Sequence, residues 1–135
     1  MTGPAHPPTS KGPAETFTGD VYVDTIARGE GPSRLRVSVV RFTPSARTAW
    51  HRHPVGQTLY VLEGKGWVQT RGEAVTEMRA GDVVYTPPDH WHWHGATPEN
   101  FMSHLSITEV PGDGRAEVEW ADHVTDEEYL APRRS

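Results

Sequence analysis

From Phe17 onward, turn-forming residues interrupt the chain at intervals of roughly ten, and this rhythm limits most strongly what it can fold into. The runs VYVDTI (21–26), RLRVSVVRF (34–42), QTLYVLE (57–63), GWVQT (66–70), DVVYT (82–86) and NFMSHLSITE (100–109) alternate or are continuously apolar, as strands are. Between them stand RGEGPS, TPSA, EGKG, RGEA, RAGD, TPPD and VPGDGR, where Gly, Pro, Asp and Ser supply turn conformations. Many short strands at this spacing predict an all-β fold, an antiparallel sandwich or barrel. One helical signal remains. In HVTDEEYLA, Thr125 and Glu128 have capping-box spacing, which predicts about a turn and a half of C-terminal helix.

The 135 residues suffice for one core, and no repeat or second domain interrupts the pattern. Residues 1–14 are rich in Pro, Gly, Ser and Thr and are expected to form a flexible arm carrying a solvated His6. Residues 15–130 then form the single domain, and 131–135 a flexible tail.

Composition narrows the function classes. The net charge is -5 and no Lys/Arg cluster occurs, so nucleic acid is not an expected partner. RGEGPSRLR, from Arg28 to Arg36, comes closest but reads as an exposed loop and strand edge. The absence of cysteine removes disulfides, thiolate metal sites and cysteine nucleophiles, and fits a reducing compartment. No apolar run approaches the roughly 20 residues of a membrane span, and MTGPAHPPTSKGPA has no apolar signal core. A soluble cytoplasmic protein without a membrane partner is expected.

The histidines carry the chemistry. In WHRHPVGQTLYVLEG, His51 and His53 lie two apart, with Cα atoms roughly 6.6 Å apart if the segment is extended. A turn at Pro54 and Gly56 lets Gln57, opening the next strand, aim at the same point. Two imidazoles and an amide oxygen suit a borderline divalent ion; a pair of ordinary surface histidines is the competing reading. In DHWHWHG (89–95), His90 and His94 would lie roughly 13 Å apart and cannot share one ion. His90, beside Asp89 in a Pro-rich turn, reads as a solvent-exposed rim residue. His94 reads either as an acid–base group or as a structural histidine. Trp91 and Trp93 point the other way, toward packing. In NFMSHLSITE, Met102, His104, Ser106 and Thr108 form a stripe opposite Phe101, Ser103, Leu105 and Ile107. Such a stripe faces solvent or lines the interior of a small barrel.

HRHPVGQTLYVLEGKG resembles the first motif of the cupins, and GDVVYTPPDHWH resembles the second. The resemblance covers roughly residues 17–125. It implies a cupin fold, a double-stranded β-helix or jelly-roll barrel with a short C-terminal helix. It also assigns Gly64 as the closing glycine of the first motif, Gly81 as the opening of the second, and His92 as a third histidine ligand. Gln57 stands where the motif has an acid, Asp89 where it has a glycine, and Ala96 where it has an Asn. A neutral ligand set leaves the full charge on the ion, making it a stronger Lewis acid that is held less tightly.

The longer pattern RFTPSARTAWHRHPVGQTL, GDVVYTPPDHWHWHGATP, MSHLSITE and HVTDEEY is similar to small single-domain bacterial cupins that include the manganese-dependent hydroxynitrile lyases. These cleave or form cyanohydrins, joining cyanide to an aldehyde. The resemblance implies one divalent transition metal, manganese first and iron, zinc, nickel or cobalt also compatible, held by His51, His53, Gln57 and His92. It makes His94 and His104 the catalytic pair, either of which would take the substrate's hydroxyl proton. Ser38, Val40 and Thr108 belong to the implied substrate pocket. Ser38 stands where that group has a small apolar residue, and Thr108 where it has Gln. The partners implied are a small-molecule substrate and further copies of the chain, as a homodimer or higher homo-oligomer. A ferrous dioxygenase acting on a small organic substrate is an alternative for the same histidines, as is a non-catalytic small-molecule or metal-binding cupin.

Overall fold

A computed structural model describes Pro4 and residues 7–131. Its elements in chain order are β1 (Thr9–Lys11), β2 (Phe17–Thr18), β3 (Val21–Arg28), β4 (Leu35–Phe42), β5 (Arg47–Thr48), β6 (His51–Arg52), β7 (Gln57–Thr70), β8 (Thr76–Arg79), β9 (Val83–Thr86), β10 (His92–Ala96), β11 (Met102–Glu109), β12 (Glu119–Trp120) and α1 (Asp126–Tyr129). The expectations for His6 and for residues 132–135 lie outside the described residues. Within the expected arm, Thr9–Lys11 instead forms a strand paired antiparallel with β3. Gly12 N extends that ladder to Val21 O at 2.8 Å, and Lys11 meets Asp20 at 3.1 Å.

The strands form two antiparallel sheets that share β7. One runs β1–β3–β4–β11–β7–β9, and the other β2–β5–β10–β7–β8, with β6 beside β10 and β12 beside β6. The curled, all-β barrel is the one expected. EGKG is not a hairpin turn, however, because β7 passes straight through it from the first sheet into the second. Gly64 makes this passage possible. Its φ is 80°, and a Cβ there would lie 1.9 Å from Phe101 O. No other residue fits that crossing without displacing β11.

Two apolar clusters hold the sheets. The first draws Val40, Phe42, Leu59, Val61, Val68, Met78 and Met102 from both sheets into the space between them. The second joins Trp50, Trp93, Val124 and Tyr129, with Trp67, Val75 and Trp91 against it. It lies on the face of β10 opposite His92 and His94, since neighbouring strand residues point to opposite faces. Each such side chain buried contributes about 1.5–3 kcal/mol. The helix closes the second cluster. Thr125 Oγ1 accepts from Glu128 N at 3.0 Å, Thr125 N donates to Glu128 Oε1 at 3.0 Å, and the Tyr129 hydroxyl donates to Ala96 O. No helix among the described residues is long and apolar enough to cross a membrane.

Candidate metal centre and cavity

Strand register brings the histidines together. His51 pairs directly with His92 across β6 and β10, which places the two ring centroids 4.3 Å apart. His53 follows two residues later, its ring 5.1 Å from that of His51 and 5.8 Å from that of His92. Ligating atoms of His51, His53 and His92 all lie within 4.8 Å of one another. The His53 carbonyl is fixed by Asp89 N at 2.9 Å and Gly56 N at 3.2 Å. Asp89 has φ 61°, in the left-handed region where glycine is easiest and Asp is tolerated. That backbone shape explains a motif glycine at this position.

Each ring is oriented through Nδ1. His51 Nδ1 lies 2.9 Å from Ala49 O, His53 Nδ1 3.0 Å from Glu117 O, and His92 Nδ1 3.2 Å from Thr86 Oγ1. A carbonyl only accepts, so Nδ1 holds the proton in His51 and His53, and Nε2 is left as a bare lone pair. Gln57 Nε2 donates to Ser106 Oγ at 2.8 Å, which fixes where its oxygen faces. His53 Nε2, His92 Nε2 and Gln57 Oε1 are all buried with no hydrogen-bond partner. Buried polar atoms left unmatched cost on the order of 1–3 kcal/mol each. Three convergent imidazoles with a neutral amide oxygen nearby fit a divalent metal ion, and these are the residues that would hold it.

Burial keeps the cluster uncharged. It pushes His51 down to about 3, helped by the charge of His53, and lowers His53 itself. His92 is driven far below the ordinary imidazole range by burial and by His51 and His53. Metal ligation requires this neutral form.

His94 shares the inward face of β10 with His92, its ring 5.4 Å away. Its Nδ1 lies 3.0 Å from His104 Nε2, so the two rings form one hydrogen-bonded pair. Burial, then His104, holds His94 well below the usual range; burial pushes His104 down to about 4. His94 Nε2 and His104 Nδ1 are buried and unpartnered.

A cavity of about 290 Å³ opens beside these groups, and Ser38, Val40, Thr48, His94, Ser106 and Thr108 form part of its wall together with His51, His53 and Gln57. The expected pocket residues Ser38, Val40 and Thr108 are thus brought together, and the stripe on β11 faces inward. His92 and His104 are fully buried and stand behind the wall. The geometry therefore separates the two acid–base candidates: His94 lines the cavity, while His104 is fully buried and hydrogen-bonded to His94. His90 is exposed in a turn closed by His90 N on Pro87 O at 3.3 Å, and the strand begins only at His92. Trp93 is fully buried with its Nε1 on Gln69 Oε1 at 2.9 Å, while Trp91 lies under the Arg52 guanidinium at 4.7 Å.

Sequence reasoning missed four contributors. Thr86 Oγ1 shares a hydrogen bond with His92 Nδ1, Ala49 and Glu117 offer carbonyls to His51 and His53, and Trp120 lies 4.7 Å from His51, ring to ring. A backbone carbonyl leaves no side-chain signal. Thr86 has no spacing that links it to His92 until the turn between them is known.

Comparison with known proteins agrees with this geometry. The chain is 50% identical over 121 residues to (R)-mandelonitrile lyase of Granulicella tundricola, a match covering 90% of this chain and 91% of that one. A 62-residue stretch is 37% identical to gentisate 1,2-dioxygenase of a Streptomyces species, covering 45% of this chain and 17% of that protein. A cupin-like protein from Thermotoga maritima has a solved structure that superposes with TM-score 0.84 at 44% identity, covering 89% of this chain and 90% of that one. Residues 38–107 match the cupin domain, and with them the barrel, the histidine cluster and the shared β7 have one reading: the chain belongs to the cupin family.

Proposed function

We propose that this chain is a metal-dependent lyase that cleaves or forms cyanohydrins from cyanide and an aldehyde. The observation that carries the reading is its 50% identity, over nine-tenths of both chains, to a mandelonitrile lyase. Mandelonitrile is itself a cyanohydrin. His51, His53, Gln57 and His92 would hold one divalent transition metal, with manganese our choice, and the bound ion would polarise the substrate oxygen.

The chain's own groups handle the proton. With Nδ1–H donated to His104 Nε2, neutral His94 presents a bare Nε2 and takes the hydroxyl proton of the cyanohydrin. The oxygen's electron pair forms the aldehyde carbonyl, and the C–CN bond breaks with its pair leaving as cyanide. The proton then passes from His94 to cyanide, giving hydrogen cyanide. His104 holds the His94 ring in place and shares its positive charge. Ser38, Val40 and Thr108 shape the substrate end of the cavity.

Elemental analysis of protein purified without chelators, beside a His51→Ala/His53→Ala variant, tests the metal. About one equivalent is expected in the wild type and little in the variant; less than about a tenth in both removes the metal. Mandelonitrile cleavage by the loaded protein tests the lyase. Oxygen uptake with gentisate and no cyanohydrin turnover would favour the dioxygenase reading that the 62-residue match supports. Self-association is also part of the proposal. Tyr60, Leu62, Val83 and Tyr85 are exposed on the paired strands β7 and β9, and a second copy of the chain is the proposed cover. Sedimentation should show a dimer that Val83→Glu dissociates.

A further inference from the structure

The segment from Arg28 to Arg36 reads in the sequence as an exposed edge, yet both arginines reach the cavity wall, together with Glu117. The register of the first sheet shows how. Arg36 pairs with Arg28 and Thr108, Ser38 with Thr25 and Ser106, and Val40 with Val23 and His104. Residues 36, 38 and 40 share one face of β4. Moving outward, the wall therefore passes from the His104 row, through a pair of serines, to Arg36. Cα atoms four residues apart on a strand are separated by roughly 13 Å.

This outer end of the cavity carries an excess of positive charge. Guanidiniums stay protonated in proteins, and like charges directly opposite on neighbouring strands repel. Against Arg28 and Arg36, Glu117 is the one acid among the lining residues. Its Oε2 lies 3.5 Å from Arg36 Nε, yet that Nε is buried and makes no hydrogen bond. Arg36 Nη1 is directed to Leu35 O at 2.9 Å. A buried Nε–H whose nearest carboxylate is ion-paired but makes no hydrogen bond, on the wall of a substrate-sized cavity, is a donor free to take an anion.

We propose that Arg36 is a specificity-determining residue that receives the carboxylate of a substrate whose reacting end lies at His94. The substrate class is an aldehyde, or its cyanohydrin, with a carboxylate across a ring-sized spacer. Arg28, more exposed, adds attraction at the mouth, and Glu117 is the internal competitor for Arg36. The reacting end rests on the lyase reading; the anion subsite does not.

Calorimetric titration of the metal-loaded protein tests this with 4-carboxybenzaldehyde, its methyl ester and benzaldehyde, alongside cyanide-addition kinetics on the same three. The wild type should bind the carboxylate about tenfold to a hundredfold more tightly than the ester, the range of a charge-assisted hydrogen bond. Arg36→Gln should abolish that preference and Arg36→Lys retain part of it. Glu117→Gln should strengthen carboxylate binding severalfold, since its backbone carbonyl stays on His53. Thermal melting checks each variant, and Arg36→Lys with Glu117→Gln carry the test if Arg36→Gln does not fold. The proposal is overturned if the wild type shows no preference, or if the preference survives Arg36→Gln. It is also overturned if Glu117→Gln weakens carboxylate binding as Arg36→Gln does, because the ion pair would then only fasten two chain segments. If no aldehyde turns over but the calorimetric preference and its loss hold, the lyase reading falls and the anion subsite stands. Turnover of benzaldehyde without any carboxylate preference gives the reverse.

Discussion

Replacing Thr86 with Val removes one hydroxyl at nearly constant volume and isolates what orients His92. Thr86 is 4% exposed, and its Oγ1 lies 3.2 Å from His92 Nδ1. For Nε2 of His92 to bind a metal, Nδ1 must carry the proton, and the threonine oxygen is then its acceptor. In the valine variant that N–H is buried without a partner whenever metal is bound, at a cost of about 1–3 kcal/mol. Converted at 1.4 kcal/mol per decade, this is about a fivefold to hundredfold loss of affinity, matching the usual effect of deleting a ligand histidine's orienting partner. Pairing of Gln57 with Thr86 uses the main chain, so Gln57 should stay in place. Without metal, His92 can move its proton to Nε2 and turn it toward the bare lone pairs of His51 and His53, whose ligating atoms lie within 4.8 Å, so stability should change by less than about 1 kcal/mol. Competition of manganese or zinc against a chromophoric chelator measures the affinity, and urea unfolding of the metal-free form measures the control. A metal affinity within about threefold of wild type in a stably folded variant would refute the role given to Thr86.

Acid should destabilise the metal-free protein. His104 is held at about 4 in the fold, against 6.5 for an ordinary imidazole, so the unfolded chain binds its proton first and stability falls as pH drops from 6.5 toward 4. That one group accounts for on the order of 3 kcal/mol, and His51, held at about 3, extends the loss to lower pH. Urea midpoints should decline steadily from pH 7 to 4.5, and His104→Phe should make the slope shallower while His51, His53, His92 and His94 keep the rest; a level profile contradicts the assignment. Gly64→Ala combines a φ of 80° with a Cβ 1.9 Å from Phe101 O, and should cost at least about 2 kcal/mol in thermal or urea unfolding. Thr125→Ala removes the capping box of α1 and should cost about 1 kcal/mol by the same assay. His104→Phe keeps an aromatic ring against Phe42 but frees His94, so kcat for cyanohydrin cleavage should fall at least about tenfold with KM little changed.

The barrel was legible because long strands carry their own periodicity. β3, β4, β11 and both halves of β7 stand out as alternating or apolar runs, and the motif histidines fall where such strands end. Short elements carry no comparable signal. β5, β6 and β12 have two residues each and exist because β10 and its neighbours offer unpaired backbone, not because of local preference. β8 has only Met78 buried, so its exposed residues read as a loop. Gly64 reads as a turn because turns and sheet-crossing bends draw on the same freedom at positive φ. The metal ligands emerged from motif spacing, while their supports did not, since Ala49 and Glu117 contribute only carbonyls. RGEGPSRLR is the exposed loop and strand edge expected, but its place on the cavity wall is illegible for a related reason. The alternation of Arg34 and Arg36 cannot say which face is inward until the register with Thr108 and Ser106 is known.

Glu117 links the two ends of the site through different atoms. Its carbonyl accepts from His53 at 3.0 Å, while its carboxylate lies 3.5 Å from Arg36. The same stretch holds Glu119 against Arg52 at 2.9 Å and sets Trp120 over His51. A shift of residues 117–120 would therefore disturb two of the three histidines and the rim arginine together. The carboxylate is directed to the rim and the neutral carbonyl to the cluster, and Gln57 is likewise neutral. Among the described residues no anion at the cluster would offset a dication held by the buried imidazoles, so its field would reach the cavity largely unopposed at short range. A site of this kind should attract an anion at both ends: cyanide near the histidines and a carboxylate near Arg36. Replacing Gln57 with Glu tests the first half of that reasoning. The added charge should tighten metal binding and lower kcat for cyanohydrin cleavage, because the ion polarises the substrate oxygen less. If the variant binds metal more tightly and also cleaves faster, the neutral ligand set is not what favours this chemistry.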